Sequence, residues 1–189
     1  MEAALAAGFE ADELLVAGEN VEPSLLAEVS TLGHPPRVLG IFRRRGLRGG
    51  ADVNLALWRV ADPGNVGTLL RSADAFGAAV MLSEGCADPF GPKALRAGMG
   101  STFRVPISDL ELPPGSVALV ANGGTPLPDV ELERHSTFVL GSEREGLPHE
   151  VLAQCDVQAT IPIRAESLNV AMTGTIVLYE RSKRSRPRR

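Results

Sequence analysis

The chain has 189 residues, of which 44% are hydrophobic and 22% charged, and its net charge is −4. These values are typical of a globular protein with one full domain and part of a second. They exclude a membrane-spanning protein, because no apolar run approaches the ~20 residues that cross a bilayer, and the acidic N-terminus does not resemble a signal peptide.

Cysteine and histidine usage argues against a metal site and against a disulfide framework. Cys86 and Cys155 lie far apart and form no CxxC pattern, and the three histidines are scattered without an HExxH motif. We therefore expect two reduced thiols in a cytoplasmic protein, without a metal.

Residues 1–46 alternate between helical and strand patterns. The segments EAALAAG and EPSLLAEVSTLG predict helices, and ELLVAG and RVLGIF predict strands. This predicts a small α/β unit that cannot bury a core alone. The segment RRRGLRGGAD has charge and adjacent glycines but no periodicity, which predicts a linker over residues 47–52.

Residues 53–181 show a steadier alternation of short apolar strands and helices. Strands are predicted for VNLALWRV, AVMLS, SVALVAN, TFVLGS and ATIPI. Helices are predicted for NVGTLLRSADAFGA, GPKALRAGM, LPHEVLAQC and a last segment that begins near Ser167. The alternation predicts an α/β fold with a parallel sheet flanked by helices.

The first long helix of this region raises a question about Arg71. Val66, Leu69, Leu70 and Ala73 fall on one face of NVGTLLRSADAFG, and Arg71 falls almost opposite them. Arg71 is either a solvated arginine or a guanidinium beside a bare patch of backbone at Gly67, where a large ligand could lie.

The last helix, SLNVAMTGTIVLYE, is apolar around most of its circumference. Such a helix is buried on more than one side. Its second cover is either the core of its own domain or a partner subunit.

Positive charge is concentrated in two clusters on an otherwise acidic chain. RRRGLR spans Arg43 to Arg48, and RSKRSRPRR spans Arg181 to Arg189 with six positive charges and no negative ones. Such clusters indicate a polyanionic partner reached at particular places, although a basic tail can also serve only solubility.

Two turns follow predicted strands at the edge where parallel sheets bind ligands. In FVLGSEREGLP the strand ends at Gly141, where the missing Cβ would let a ligand approach the backbone. In IPIRAESLNV a polar turn leads to Ser167, a natural helix N-cap. The motifs of dinucleotide folds, P-loops and α/β-hydrolases are missing from the sequence.

Together these segments resemble the SpoU/TrmH family of RNA ribose methyltransferases, within the SPOUT superfamily. The family's first motif, N-x-G-x-x-x-R-x-A-x-x-F-G, is filled from Asn65 to Gly77. LGSEREGL resembles the second motif, IPI…SLNV…LYE the third, and DPFGPKALRAGMGSTFRVPI the middle segment. The third motif departs from the pattern, because its RAE spacer is about two residues short and Ala171 replaces a common serine.

The resemblance implies an enzyme that transfers a methyl group from S-adenosylmethionine to a ribose 2′-hydroxyl of structured RNA, ribosomal RNA in preference to transfer RNA. It also implies a homodimer and a C-terminal trefoil knot. The implied domains are a partial ribosomal-protein-like RNA-binding domain over 1–46, the linker 47–52, a SPOUT methyltransferase domain over 53–181 and a basic tail over 182–189.

The resemblance also assigns site residues. Catalytic or RNA-contacting roles fall on Asn65, Arg71, Glu143, Ser167 and Asn169. The cofactor pocket would be formed by Leu140, Gly141, Ser142, Ile161, Ile163, Leu168 and Asn122. Arg71 is a poor proton acceptor, since its pKa exceeds ~12, so a fixed cation is chemically easier than a general base.

Two other functions remain open at this point. A catalytically impaired RNA-binding member of the same fold would be expected to lack Arg71 or the SLN turn, and this chain has both. An α/β nucleotide-binding regulator of another kind would not bind S-adenosylmethionine.

Overall fold

The computed structural model describes residues 1–30, 34–43 and 51–185, and the chain divides into two units, Met1–Arg45 and Gly46–Arg189. Most of the predicted linker and most of the Arg43–Arg48 cluster lie outside the described residues, as do residues 186–189 of the predicted tail. Among the described residues, no helix is long and apolar enough to cross a membrane.

The first unit has the helix–strand order that its sequence predicts. Its elements are α1 (Glu2–Ala6), β1 (Ala11–Val16), α2 (Pro23–Val29) and β2 (Val38–Phe42). The two strands pair antiparallel. The buried hydrophobic side chains described in this unit are Ala4, Phe9 and Leu26, so its core is small.

The second unit is built on one seven-stranded sheet. The strand order is β5-β4-β3-β8-β6-β9-β7, and every pairing is parallel. The strands are β3 (Asn54–Leu57), β4 (Ala79–Leu82), β5 (Ile107–Asp109), β6 (Ser116–Leu119), β7 (Thr125–Pro126), β8 (Thr137–Leu140) and β9 (Val157–Thr160). The prediction of a parallel sheet flanked by helices is confirmed, although β5 and β7 were not predicted.

In the described part of this unit four helices cover the sheet, and single turns of 3₁₀ helix precede β5 (Ser101–Phe103) and β8 (Leu127–Asp129 and Leu132–Arg134). The helices are α3 (Pro63–Phe76), α4 (Pro92–Gly98), α5 (His149–Leu152) and α6 (Val170–Ser185). The central strands are buried on both faces, as shown by the full burial of Leu55, Ala56 and Leu57. Burial on both faces explains why these strands are continuous apolar runs.

Local sequence signals set both ends of α3. The Asp62 carboxylate accepts the Asn65 backbone N–H at 2.8 Å, and Pro63 occupies the first helical position. Gly77 ends the helix in the left-handed conformation at φ +68°, where glycine has no steric penalty.

The end of α3 is also tied to the first 3₁₀ turn. Burial raises the pKa of Asp74, but hydrogen bonds from Arg104 and Ser101 outweigh it and lower that pKa.

Gly67 does not leave an open surface for a nucleotide, and this expectation is corrected. It is buried where α3 crosses α4: an added Cβ would collide with the Ala94 carbonyl oxygen and would lie 2.8 Å from the Ala97 Cβ. Gly98 on α4 faces it, since a Cβ there would lie 3.4 Å from the Gly67 oxygen. The missing side chains therefore allow two helices to approach closely.

Helix α6 begins at Val170, three residues later than expected, and its two sides differ. Val170, Ala171, Val177 and Leu178 are buried. At Gly174 an added Cβ would collide with Leu69 and would lie 2.9 Å from Leu140 Cδ1. On the outer side, Met172 is 60% and Tyr179 52% exposed. One side of α6 is thus core, and the other is an apolar surface.

The last turns of α6 change the interpretation of the basic tail. The helix continues to Ser185, past the expected boundary at residue 181. Arg181 donates to the carbonyls of His135 and Glu133, and Arg184 donates to those of Val130, Leu127 and Pro128. These two arginines hold α6 against the segment before β8, and they are not a free polyanion-binding tail.

We expect Gly67→Val to lower the free energy of unfolding by about 1–3 kcal/mol, because the obstacle is backbone that cannot rotate away. Urea denaturation measures this loss. The matched control is Ala75→Val on the exposed side of the same helix, which carries only the small helix-propensity cost of valine. Equal stability of the two variants would show that the α3–α4 contact is looser than described.

Candidate active site

A cleft of about 570 Å³ opens at the carboxyl ends of β6, β8 and β9. The chain that follows these three strands forms its walls, together with the turn before α6. Six of the seven predicted cofactor residues line it: Leu140, Gly141, Ser142, Ile161, Ile163 and Leu168. Asn122 does not line the cleft, whereas Val120 and Ala121 do. β9 ends at Thr160, so Ile161 and Ile163 belong to the following turn and not to the strand.

The turn after β8 is closed by its own backbone. Ser142 and Gly146 exchange two hydrogen bonds of 3.1 Å between their N–H and C=O groups, and Gly146 has φ +67°. A Cβ on Gly141 would collide with the Gly146 carbonyl and would lie 2.7 Å from the Leu147 nitrogen. The expected reason for this glycine, space for a ligand, is therefore corrected: the turn itself requires it.

Three of the predicted site residues join in one chain of side-chain hydrogen bonds. The Asn65 Nδ2 donates to Glu143 Oε1 at 2.9 Å, and the Asn169 Nδ2 donates to Asn65 Oδ1 at 3.0 Å. The Asn169 Oδ1 accepts the backbone N–H groups of Ala171 at 2.9 Å and Met172 at 3.3 Å. We call Glu143, Asn65 and Asn169 the amide chain.

The direction of every bond in the amide chain follows from α6. Backbone N–H groups can only donate, so the oxygen of Asn169 must face them and its NH₂ must face Asn65. The oxygen of Asn65 is then occupied, and its NH₂ must face Glu143. The first turn of α6 thereby sets how the carboxylate of Glu143 is held at the rim of the cleft.

Asn169, and not Ser167, caps α6. Two backbone N–H groups of the first turn bond to the Asn169 side chain, which corrects the expectation for Ser167. Ser167 is exposed in the wall of the cleft. Both residue types favour the N-cap position, so spacing alone does not distinguish them.

Arg71 is not brought to the amide chain within one copy of the protein. It is exposed on α3, six residues beyond Asn65, which is roughly 9 Å along the helix axis. Its guanidinium makes no hydrogen bond or ion pair with any residue of the described ranges. A side chain in this position is available to an external anion.

Sequence reasoning missed the role of Asp62. Its carboxylate caps α3 and holds the backbone of Asn65, the middle member of the amide chain. The signal was present, because Asp-Pro before an amphipathic run marks a helix N-terminus. Within the described ranges, no group of three or more His, Cys, Asp or Glu residues is arranged to hold a metal ion.

The fold and the cleft define a parallel α/β domain with a cleft at the carboxyl edge of its sheet, the edge where such sheets bind ligands. The model of the SpoU rRNA Methylase family matches residues 52–179, and the chain belongs to this family.

Two curated relatives illustrate the similarity. The chain is 36% identical over 133 residues to the 23S rRNA (guanosine(2553)-2′-O)-methyltransferase RlmP of Bacillus subtilis (strain 168), covering 64% of this chain and 54% of that protein. It is 33% identical over 141 residues to the 23S rRNA (uridine(2479)-2′-O)-methyltransferase of Streptomyces viridochromogenes, covering 65% and 49%. The chain thus spans about half the length of these relatives.

Solved structures match over more of the chain. The AviRb methyltransferase of Streptomyces viridochromogenes, in complex with the cofactor AdoMet, has a TM-score of 0.85 at 25% identity and covers 96% of this chain and 86% of its own. An AdoMet-bound rRNA methyltransferase of Sinorhizobium meliloti has a TM-score of 0.86 at 27% identity, covering 99% and 86%.

We expect Asn169→Ala to lower the free energy of unfolding by about 1 kcal/mol, because two N–H groups of α6 lose their acceptor. Chemical denaturation measures this loss. Ser167→Ala, two residues earlier, is the control and is expected to stay within about 0.5 kcal/mol of the parent protein. If Ser167→Ala lowered the free energy of unfolding more than Asn169→Ala did, Ser167 would be the cap of α6.

Proposed function

We propose that this protein transfers a methyl group from S-adenosylmethionine to a ribose 2′-hydroxyl of ribosomal RNA. The observation that carries the proposal is the amide chain, which holds the Glu143 carboxylate at the rim of the cleft. Membership of the SpoU rRNA methylase family supports the reaction class, and relatives named as 23S rRNA methyltransferases support ribosomal RNA as the substrate.

The cleft fits S-adenosylmethionine in size and chemistry. Its volume of about 570 Å³ lies within the ~300–1,000 Å³ of small-molecule sites. Ile161 and Leu168 offer apolar surface, and the turn at Gly141 and Ser142 offers backbone polar groups. When bound there, the cofactor supplies a methyl group already attached to a good leaving group.

The protein's own residues then have to position the ribose. Only one hydrogen bond to Glu143 comes from the amide chain, and a carboxylate has about four acceptor sites. The remaining sites are available to accept the 2′-hydroxyl hydrogen and orient the oxygen for in-line attack. Asn65 and Asn169 keep the carboxylate in place, and Ser167 adds a hydroxyl to the same wall.

Arg71 is proposed to act as a fixed cation. Its place away from the amide chain favours a grip on a substrate phosphate over acceptance of the hydroxyl proton. A guanidinium binds phosphate through two parallel donors, and its charge favours an alkoxide nearby.

Homodimerisation is also proposed, through the outer side of α6. Met172 and Tyr179 are exposed there, beside a second cavity of about 500 Å³ lined partly by Thr68, Thr175 and Ile176.

We further propose the C-terminal trefoil knot, an RNA-binding role for the first unit, and a cytoplasmic location. Free thiols at Cys86 and Cys155 suit a reducing compartment.

The test of the function combines three measurements on the purified chain. Calorimetry should show S-adenosylmethionine binding, radiolabelled methyl should enter 23S ribosomal RNA, and mapping of the product should place it on a ribose 2′-oxygen. Cofactor binding without transfer to any RNA would favour a catalytically impaired RNA-binding member of the family. No cofactor binding would overturn the proposal.

We expect Arg71→Ala to lower the single-turnover rate by about 10²–10³ while cofactor binding is retained, since loss of one preorganised charge has that effect. Arg71→Lys should recover little, because an ammonium lacks the planar fork. Arg134→Ala, at an exposed arginine paired with Glu131, is the control and should be near normal. With a fixed cation, the pH profile keeps its shape as the rate falls. A profile that shifts in the lysine variant would instead identify Arg71 as the base.

A further inference from the structure

Arg59 has a backbone conformation that its own side chain disfavours. Its φ is +51°, in the left-handed region where glycine is the usual residue. The other non-glycine residue with positive φ in the described ranges is Met99, which ends α4 as its left-handed cap. Helix termination explains Met99. Arg59 follows strand β3 and ends no helix, so that explanation does not extend to it.

The surroundings of Arg59 hold it in this conformation. Its backbone N–H donates to Ser83 Oγ at 2.8 Å, and that hydroxyl donates to the Glu84 carbonyl at 2.9 Å. A Cβ on Gly85 would lie 3.3 Å from Arg59 Nε and 3.4 Å from its Cγ. The absence of that Cβ gives the arginine side chain a place to lie. The loop after β4 therefore fixes both the backbone and the stem of Arg59.

The charged end of Arg59 remains available. The residue is exposed, and its guanidinium forms no hydrogen bond or ion pair with any residue of the described ranges. Asp62, the nearest carboxylate in sequence, and Glu84, in the loop that holds Arg59, form no ion pair with it. Arg59 thus combines a strained backbone, fixed by its neighbours, with a side chain whose guanidinium has no partner among the described residues. This combination indicates a function for the side chain.

The position of Arg59 connects it to the proposed active site. It lies two residues beyond Leu57, which pairs with Leu140 at the end of β8, and the Trp58 N–H donates to the Leu140 carbonyl at 2.8 Å. The loops after β3 and β8 therefore start side by side, one carrying Arg59 and the other Glu143. Arg59 also stands six residues before Asn65, on the same carboxyl edge of the sheet.

We propose that Arg59 binds a backbone phosphate of the RNA substrate, next to the nucleotide whose ribose is held at Glu143. It acts as a positioning residue for the strand, and this role rests on the proposed function. A planar guanidinium suits the two oxygens of a phosphate. Contacts to phosphates fix the register of a nucleic acid without reading its bases. The site lies on the β3–β4 side of the amide chain, opposite the cofactor cleft over β8, β6 and β9.

Arg59→Gly is the informative variant, because glycine adopts φ +51° without strain and the loop should keep its shape. The probe is a fluorescein-labelled RNA hairpin, titrated with the full chain between about 50 and 200 mM salt. We expect affinity to fall about tenfold and the slope of log affinity against log salt to decrease by about one. Melting temperature and S-adenosylmethionine affinity should not decrease.

Two further variants separate a phosphate grip from a loss of charge. Arg134→Gln removes one positive charge at the opposite, amino end of β8 and should leave affinity and salt slope nearly unchanged. Arg59→Lys keeps the charge and should retain the slope while binding more weakly than arginine. Equal weakening in Arg59→Gly and Arg134→Gln, or parental affinity and slope in Arg59→Gly, would overturn the proposal.

Because the readout is RNA binding, its failure is distinguishable from failure of the proposed function. A protein that methylates ribosomal RNA, and whose Arg59→Gly variant binds and turns over normally, contradicts only the role of Arg59. A protein that binds the hairpin through Arg59 but transfers no methyl group contradicts only the proposed reaction.

Discussion

The close approach of α3 to its neighbours is the constraint on which the site depends. Gly67 lets α3 sit against the backbone of α4, and Gly174 lets α6 sit on Leu69 and Leu140. Three polar side chains from distant parts of the chain then meet within 3.0 Å. A hydrogen bond weakens steeply with distance and angle, so we expect an added methyl group at either crossing to weaken the amide chain as well as the packing of the helices.

The amide chain links the unpaired backbone N–H groups at the start of α6 to the orientation of the Glu143 carboxylate. The two N–H groups at the start of α6 have no partner within the helix and require an acceptor. Asn169 provides that acceptor, and its remaining donors are then aimed at Asn65, which aims its own at Glu143. Among the described residues, the carboxylate is held by one neutral donor and by no cation. Its charge is therefore left to act on whatever binds at the rim of the cleft.

The sequence predicted the fold well where burial follows a simple pattern. β3 and β8 are almost entirely buried and mostly apolar runs, and α3 has one apolar face between an Asp-Pro start and a glycine end. Prediction failed where the deciding neighbour lies outside the local helix or strand pattern. The pattern at Gly67 and Gly141 favours space for a ligand, but an added Cβ at these positions meets the backbone of α4 and of a folded-back turn. Ser167 and Asn169 are equally good caps by type, and only the position of α6 chooses between them. The motifs named Asn65, Glu143 and Asn169 together, yet their hydrogen bonds were not predictable from spacing.

In the part of the chain that the structure describes, the arginines without an internal partner that concern RNA binding lie on α3 and at the carboxyl edge of the sheet, and not at the end of α6. Arg181 and Arg184 are committed to backbone carbonyls, and Lys183 is paired with Glu180. A cation that already has an internal partner gains little from a phosphate, because binding would first require that partner to be given up. The salt dependence of RNA binding reports the counterions that newly formed phosphate contacts release. Within the described ranges it should therefore depend on exposed arginines such as Arg59 and Arg71, and not on the end of α6. An acidic chain can bind a polyanion if its free cations lie along the path of the RNA strand. The negative charge on the rest of its surface then disfavours other orientations of the RNA.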